Sequence, residues 1–480
     1  MERRAKIVAT IGPSSMEKAM LEQLILAGMN VARLNFSHGT HEEHAERIAC
    51  IRELAEKLGQ PVGILQDLQG PKIRVGVLNP TLDLLAGEIV TLHAESVTPP
   101  ANKEKSIPVA FAELFDCASV DDRILLDDGH LALKVVEIGE KHLRALVQVG
   151  GKLSSHKGIN LPGVRLTIPG FTEKDRADLV FGLSQNVDFV AISFVRSAQD
   201  VRTVRNAMDE IDEEGARPFV IAKLEKPEAL DNLEEILQVA DGVMVARGDL
   251  GVEMSPERVP IAQKRIIQAA NQHGKIVITA TQMLDSMIMN PLPTRAEASD
   301  VANAIFDGSD AVMLSGETAS GAYPLEAVQM MDRIVRSAEV SFSEWGHYNA
   351  PDIATGDDAA SMTRAARELA HDLNVAAIAI FTHTGRTAQL MSKARARVPI
   401  LAFTPSRITF GRMALFWGVI PYLVPMSSTL REMVNHADSK LTASGWVEPG
   451  QQVVIISGFP VSTVRPSNMA LLHNVGERLA

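Results

Sequence analysis

Six charged side chains could together handle a phosphoryl group: Arg33, Lys72, Arg74 and Lys223 as cations, Glu225 and Asp249 as carboxylates. Two carboxylates brought together make an oxygen site of the kind that holds Mg²⁺ along with substrate phosphates. Phosphoryl transfer is catalysed mainly by positioning and by neutralising spread negative charge, so it needs cations and a divalent ion more than a nucleophile. No Ser-His-Asp or Cys-His arrangement competes. The simpler reading of Lys223 and Glu225 is an ion pair: they stand two residues apart and share one side of a strand, where either alone would be costly to bury. Gly248, between Arg247 and Asp249, lets a ligand approach the backbone closely. The Arg-Gly-Asp string ends an apolar run, which sets aside an exposed adhesion motif. The stretch LQDLQGPKIR (65–74) holds Asp67, a Gly-Pro break, Lys72 and Arg74, and reads either as a charged loop or as part of the phosphate site.

These residues need a scaffold that gathers strand ends. Near-continuous apolar runs typical of buried parallel strands occur at 6–12, 29–36 and 62–68, and again at 187–194, 218–225, 241–250, 275–282 and 310–317, with amphipathic helical segments between most of them. Eight such units predict an α/β fold, a (β/α)₈ TIM barrel, whose chemistry sits at the C-terminal strand ends. Those ends carry Arg33, Asn35, Ser37 and His38; Asp67; Lys223 and Glu225; Arg247, Gly248 and Asp249; Thr279, Thr281 and Gln282; Ser315 and Glu317. Two doubly wound halves are the alternative, but no GxGxxG follows a first strand. Between 72 and 162 the runs are short and alternating, without a convincing helix, and an Asp-Asp-Gly hairpin signal lies among them. The expected domains are a barrel (1–70 and 165–340), an inserted small β-barrel lid (71–164), a linker (341–357) and a C-terminal open-sheet α/β domain (358–480).

A chain of 480 residues implies two to four domains. Its 46% hydrophobic and 22% charged content is that of a soluble globular protein. A net charge of −12 excludes a general pull toward nucleic acid or an anionic membrane, so phosphate binding must be local. The two cysteines, Cys50 and Cys117, argue against a zinc site or a disulfide framework. Neither a secretory signal nor a membrane span is expected, and a cytoplasmic location is the default.

The longer motifs resemble the pyruvate kinase family: KIVATIGPSS, NVARLNFSHG, IAKLEKPEAL, MVARGDLGVE, TATQMLDSM, PTRAEASDVANA and MLSGETASGAYPLEAV, in that family's order along nearly the whole chain. The resemblance implies phosphoryl transfer from phosphoenolpyruvate to ADP, giving pyruvate and ATP, with Mg²⁺ (or Mn²⁺). It implies that Arg33 contacts the phosphoryl group, that Lys223 steadies it, and that Glu225 and Asp249 hold the metal. The Gly248–Asp249 backbone and Thr281 receive the substrate carboxylate. Arg74 and Lys157 match nucleotide-phosphate contacts, with His38 and Pro13 on the nucleotide side. A relayed water involving Ser315 is expected to protonate the enolate. Lid closure should precede transfer, keeping water from the phosphoryl group.

Potassium-requiring members of the family bind K⁺ with residues matching Asn35, Ser37, Asp67 and the Leu68 carbonyl, and read Asp-Thr-Lys-Gly-Pro-Glu there. This chain reads Asp67-Leu68-Gln69-Gly70-Pro71-Lys72, as in members that work without potassium. The Lys72 ammonium is expected to replace the ion. Thr382, Thr384, Gly385, Arg386 and Thr387, between a strand and a helix, suit the phosphate of an allosteric effector. Ser320 stands where some members carry a lysine, so no nucleotide contact is assigned there. Met283, Met287 and Met289 are expected to pack at helical spacing, and Glu297 and Asp300 to fix a helix start and a subunit contact. The resemblance also implies a homotetramer. Two other readings are a barrel lyase or aldolase, which would need neither the lid nor Arg33 with Lys223, and a phosphometabolite sensor, which would be expected to have lost Lys223 or a metal carboxylate.

Overall fold

Strands covered on both faces must be apolar along their length, and the eight barrel strands are. The computed structural model describes residues 3–97, 104–127, 129–164, 169–212, 217–348 and 357–477. The barrel strands are β1 (Lys6–Thr10), β2 (Val31–Asn35), β3 (Gly63–Asp67), β4 (Phe189–Ile192), β5 (Phe219–Leu224), β6 (Gly242–Ala246), β7 (Ile276–Ala280) and β8 (Ala311–Leu314). Each pairs in parallel with the next, and β8 returns to β1 with Lys6 opposite Ala311 and Ala9 opposite Leu314. Helices cover the outside. The longest after β2, His41–Leu58, starts on a capping box between Thr40 and Glu43 and stops at Gly59, whose φ of 62° is adopted most readily by a residue without a Cβ.

All eight strands are shorter than the apolar runs in the sequence, and two of the runs continue as helix. The run 241–250 leaves the sheet at Ala246 and turns into a helix, Arg247–Glu253; 310–317 leaves at Leu314 and becomes the helix Gly316–Ala319. Beyond the barrel rim no neighbouring strand takes up the backbone N–H groups, and an acidic residue in each first turn, Asp249 or Glu317, favours the helix instead.

The insert sits between β3 and β4, which nonetheless pair directly, with Ala191 opposite Asp67. Its six-stranded sheet runs, in spatial order, Ile159–Asn160, Arg123–Leu126, Leu131–Gly139, His142–Val149, Ile89–Ala94 and Lys105–Val109. Arg74 bridges to Gly158 beside one edge, and Val75 to Val109 on the other, so this segment joins the edges. The hairpin between Leu126 and Leu131 is present; Asp128 of its turn signal lies outside the described residues. One short helix, Leu114–Cys117, interrupts what the sequence suggests is all strand. The lid has its own apolar core, including Leu92, Leu133 and Ala145. Where it leaves and rejoins the barrel, the Gly70 N–H donates to buried Asp175 at 3.0 Å. Gly70 has φ 66°, and a Cβ there would lie 3.0 Å from Ser193 and Phe194.

The region read as a linker contains a short helix, Phe342–Trp345; residues 349–356 lie outside the described part. The C-terminal sheet comprises β9 (Ala377–Phe381), β10 (Ile400–Thr404), β11 (Val419–Leu423), β12 (Gln452–Ser457) and β13 (Met469–Asn474). The order is β11-β10-β9-β12-β13, parallel except for β13. It packs under the barrel, against the N-terminal strand ends. The Lys6 ammonium donates to the Val419 carbonyl at 2.7 Å, and Phe416 stacks on Phe219, which meets Phe189 edge-on. Each such buried apolar side chain contributes about 1.5–3 kcal/mol. The barrel mouth therefore faces the lid. Among the described residues, no helix is long and apolar enough to cross a membrane.

Candidate active site

At the barrel mouth, β2, β3 and β5 deliver Arg33, Asp67 and Lys223 to one point. The Arg33 guanidinium donates from Nε to Asp67 Oδ2 at 2.7 Å and from Nη1 to the Thr10 hydroxyl at 2.9 Å. Lys223 Nζ lies 3.3 Å from Asp67 Oδ1, 2.9 Å from Glu225 Oε1 and 2.8 Å from the Ser193 hydroxyl. The Ser193 hydroxyl in turn donates to the Leu68 carbonyl at 2.8 Å, and Glu225 Oε2 accepts the Phe194 N–H at 2.7 Å. Two cations and two carboxylates thus alternate in a buried chain, Arg33–Asp67–Lys223–Glu225. The ion pair between Lys223 and Glu225 is present, embedded in this larger set.

The electrostatics follow from burial and neighbours. Burial alone would raise the Asp67 carboxyl, but Lys223 and Arg33 outweigh it and hold the group below its ordinary value. Burial would lower the Lys223 ammonium; Asp67 and Glu225 reverse this and raise it above the ordinary lysine value. Lys223 is therefore a fixed positive charge rather than a base. Glu225 is pushed up, first by burial and then by the nearby Asp249 carboxylate, against the pull of Lys223. Burial lowers His38, and the Arg74, Lys72 and Arg33 cations lower it further, favouring the neutral imidazole.

Among the described residues no three His, Cys, Asp or Glu side chains group as a complete metal site. Glu225 and Asp249, which feel each other electrostatically, are two hard oxygen donors. That set fits Mg²⁺, which keeps open positions for water and substrate phosphate and does not need an all-protein cage.

Thr281, just past β7, has φ 66°, and Gln282 has φ 53°. A left-handed conformation is a genuine outlier for a β-branched residue and costs about 1–3 kcal/mol. The Thr281 hydroxyl accepts the Gly248 N–H at 2.7 Å and donates to the Ala280 carbonyl at 2.6 Å, so Gly248 and Thr281 do meet. A Cβ at Gly248 would find Thr281 at 3.5 Å, an ordinary contact. Ser315 has a buried hydroxyl without a hydrogen-bond partner in the protein, and Glu317 beside it accepts the Leu284 and Ser315 N–H groups.

The remaining candidates fall into three places. Arg74 and Lys157 lie together at the base of the lid: the Arg74 guanidinium donates to the His156 carbonyl at 3.0 Å, and Lys157 pairs with Asp127 at 2.7 Å. His38 and Pro13 are exposed on the rim. Asn35 and Ser37 meet through the Ser37 N–H and Asn35 Oδ1 at 3.1 Å, beside Asp67 and Leu68. Lys72 is exposed on a cleft between lid and barrel that Lys226 and Asp249 also line. In the C-terminal domain, Thr382, Thr384, Arg386 and Thr387 line a cavity of about 320 Å³ with Arg465 and Ser467. Gly385, φ 87°, starts the helix Arg386–Ala394 there and donates to the Thr382 hydroxyl at 3.0 Å. Arg386 pairs with Asp357.

Met283 and Met287 are buried as expected, but Met289 is 75% exposed; the chain turns outward after the short 3₁₀ helix ending at Ile288. Glu297 does fix a helix start, closing a capping box with Thr294. Sequence reasoning missed Thr10 and Ser193, which stand at the ends of β1 and β4, where no charged residue marks the strand end. It also missed the pairing of Arg247 with Asp300.

The chain matches the family model described as "Pyruvate kinase, barrel domain" over residues 2–328, and "Pyruvate kinase, alpha/beta domain" over 360–473. It is 46% identical to a curated pyruvate kinase of Geobacillus stearothermophilus, covering all of this chain and 82% of that one. It is 44% identical to one of Agrobacterium vitis, covering 99% of each. A third, from Sporosarcina psychrophila, is 44% identical over all of this chain and 81% of its own length.

Proposed function

This chain belongs to the pyruvate kinase family, and from that premise we propose how its barrel mouth divides the work. The reaction is transfer of the phosphoryl group of phosphoenolpyruvate to ADP, giving pyruvate and ATP, and the protein is a phosphotransferase. The observation that carries the division of labour is the alternating chain of Arg33, Asp67, Lys223 and Glu225.

Lys223 and Arg33 neutralise the phosphoryl oxygens as charge spreads over them. Asp67 and Glu225 hold those two cations in place and compensate them before substrate arrives. The family depends in general on Mg²⁺. In this chain Glu225 and Asp249 are assigned to the ion, which when bound shields the phosphate charge and the developing enolate. Thr281 and the Gly248–Asp249 backbone are assigned to the substrate carboxylate; to reach it the Gly248 N–H must leave the Thr281 hydroxyl, and that hydroxyl the Ala280 carbonyl. Arg74 and Lys157, with His38 and Pro13, are assigned to the nucleotide; Lys157 must leave Asp127 to reach it. The buried Ser315 hydroxyl is suited to hold a water that passes a proton to the enolate carbon. The test is a coupled assay for pyruvate formed from phosphoenolpyruvate, with ADP as the varied partner; pyruvate formed equally well without ADP would overturn the reading.

Lys72 is proposed to stand in for a monovalent cation beside Asn35, Ser37, Asp67 and Leu68. The support is the sequence Gly70-Pro71-Lys72 directly after that pocket; in the structure Lys72 lines the neighbouring cleft, and Asp67 pairs with Arg33 and Lys223. Turnover in buffer free of sodium and potassium is expected to match turnover with K⁺. A deficit of about tenfold or more without K⁺, equivalent to ~1.4 kcal/mol of lost stabilisation, sinks the idea.

The cavity at Thr382–Thr387 is proposed to take a phosphorylated effector, its hydroxyls and Arg386 facing the phosphate. Fructose 1,6-bisphosphate, a sugar monophosphate and AMP are the compounds to titrate. At least one is expected to shift the half-saturating phosphoenolpyruvate concentration, and no shift with any of the three counts against the assignment. A cytoplasmic homotetramer is proposed from the same kinship; sedimentation of the purified chain tests the assembly.

A further inference from the structure

We propose that Arg247 and Asp300 form a positioning clamp for Thr281, in which one guanidinium gathers the carbonyls of a left-handed turn and the turn sets the direction of the Thr281 hydroxyl. The proposal rests on the assignment of Thr281 to the substrate. Arg247 begins the helix after β6, while the turn follows β7, so the clamp spans two neighbouring strand ends.

The geometry is specific. Arg247 Nε donates to the Ala280 carbonyl at 3.3 Å, and Nη2 to the Thr281 carbonyl at 2.9 Å and the Gln282 carbonyl at 3.4 Å. Nη1 meets both Asp300 oxygens, at 2.7 and 2.6 Å. Three successive carbonyls converge on one cation because both Thr281 and Gln282 are left-handed. Neither residue type prefers that conformation, and such a turn persists only where its surroundings over-determine it. A guanidinium supplies what is needed: several donors in a rigid plane, which a lysine ammonium cannot match.

Asp300 supplies the fixed end. It lies on the helix Arg295–Phe306, whose start is set by the Thr294–Glu297 capping box. Glu297 also accepts the Ser286 N–H and hydroxyl, so the same helix anchors the chain on the far side of the turn. A merely structural ion pair would explain the Arg247–Asp300 contact. It would not explain why three successive carbonyls of a strained turn at the mouth converge on the guanidinium, whose Nη2 also meets Met283 Sδ at 2.8 Å and whose Nη1 also meets Gln263 Oε1 at 3.4 Å. Without the clamp the turn can relax, and the Thr281 hydroxyl swings away from the site.

The test is a double-variant cycle in the full-length protein: Arg247→Lys, Thr281→Ala and the pair, with kinetics in both substrates. Arg247→Lys is expected to lower kcat/KM for phosphoenolpyruvate by about 30-fold while the KM for ADP stays within about threefold. The double variant is expected to be no worse than Thr281→Ala alone, since a residue acting through Thr281 has nothing left to position. Additive losses, a rise in the KM for ADP equal to that for phosphoenolpyruvate, or Arg247→Lys within about threefold of the parent overturn the clamp. Should Arg247→Lys fail to fold, Asp300→Asn, which keeps the shape and removes the charge, enters the same cycle with the same criteria. Full activity in Thr281→Ala overturns the substrate assignment of Thr281 itself, and the clamp with it.

Discussion

Replacing Lys223 by methionine is expected to cut pyruvate formation by about 10²–10³-fold, the scale set by removing one preorganised donor from a transition state. Methionine keeps the unbranched apolar stem and ends one atom short, at the position of Lys Cε, so most of the packing around β5 is retained. What is lost is the ammonium that Asp67, Glu225 and Ser193 jointly hold. Because its neighbours raise its proton affinity, Lys223 is charged at any working pH, and no change of buffer restores what methionine removes. The variant also leaves Glu225 buried without its cation, and breaking one partner of a buried pair costs about 3–5 kcal/mol. A thermal melt must therefore accompany the kinetics. A folded Lys223→Met protein with undiminished turnover would remove the electrostatic role assigned to this lysine.

Glu225→Gln should act on a different quantity. The amide can still accept the Phe194 N–H through its oxygen, but its NH2 then faces the Lys223 ammonium in place of Oε1, so a thermal melt accompanies this variant too. It cannot bind a divalent cation as a carboxylate does. Groups that only orient a metal ligand cost 10–100-fold when removed, so loss of a ligand itself should cost at least about 100-fold in apparent Mg²⁺ affinity. The experiment is a Mg²⁺ titration of turnover at saturating phosphoenolpyruvate and ADP. Partial recovery at high Mg²⁺ is the expected signature. An unchanged half-saturating Mg²⁺ concentration in Glu225→Gln, with the protein folded, would take Glu225 out of the metal site. Asp249→Asn should behave alike, because Asp249 is the other carboxylate proposed for the ion.

The barrel was legible because buried parallel strands are almost wholly apolar, and the charged exceptions within them stood out for the same reason. Lys223 and Glu225 could be picked from an apolar run because burying them is costly without partners. Asp249 was found by the same logic, although the backbone has already become helical at Arg247. Strand β11 is hard to read from sequence because it carries Pro421, which cannot donate to a ladder and so argues against a strand; it is an edge strand, where proline is tolerated. The left-handed Thr281 could not be foreseen, since local preference points away from it and only the contacts around it hold it there. The same is true of Asp300, which lies 53 positions from Arg247 and meets it only once the barrel has closed.

The direct pairing of β3 with β4 across the lid bears on how the chain folds. Joining strands separated by a long unfolded segment costs loop-closure entropy, which grows slowly with length. A lid that has already folded on its own core behaves as a short link instead, because its exit and return lie side by side at Gly70 and Asp175. The lid would then serve assembly before it serves catalysis: by ordering first, it brings the two halves of the barrel wall within reach of each other.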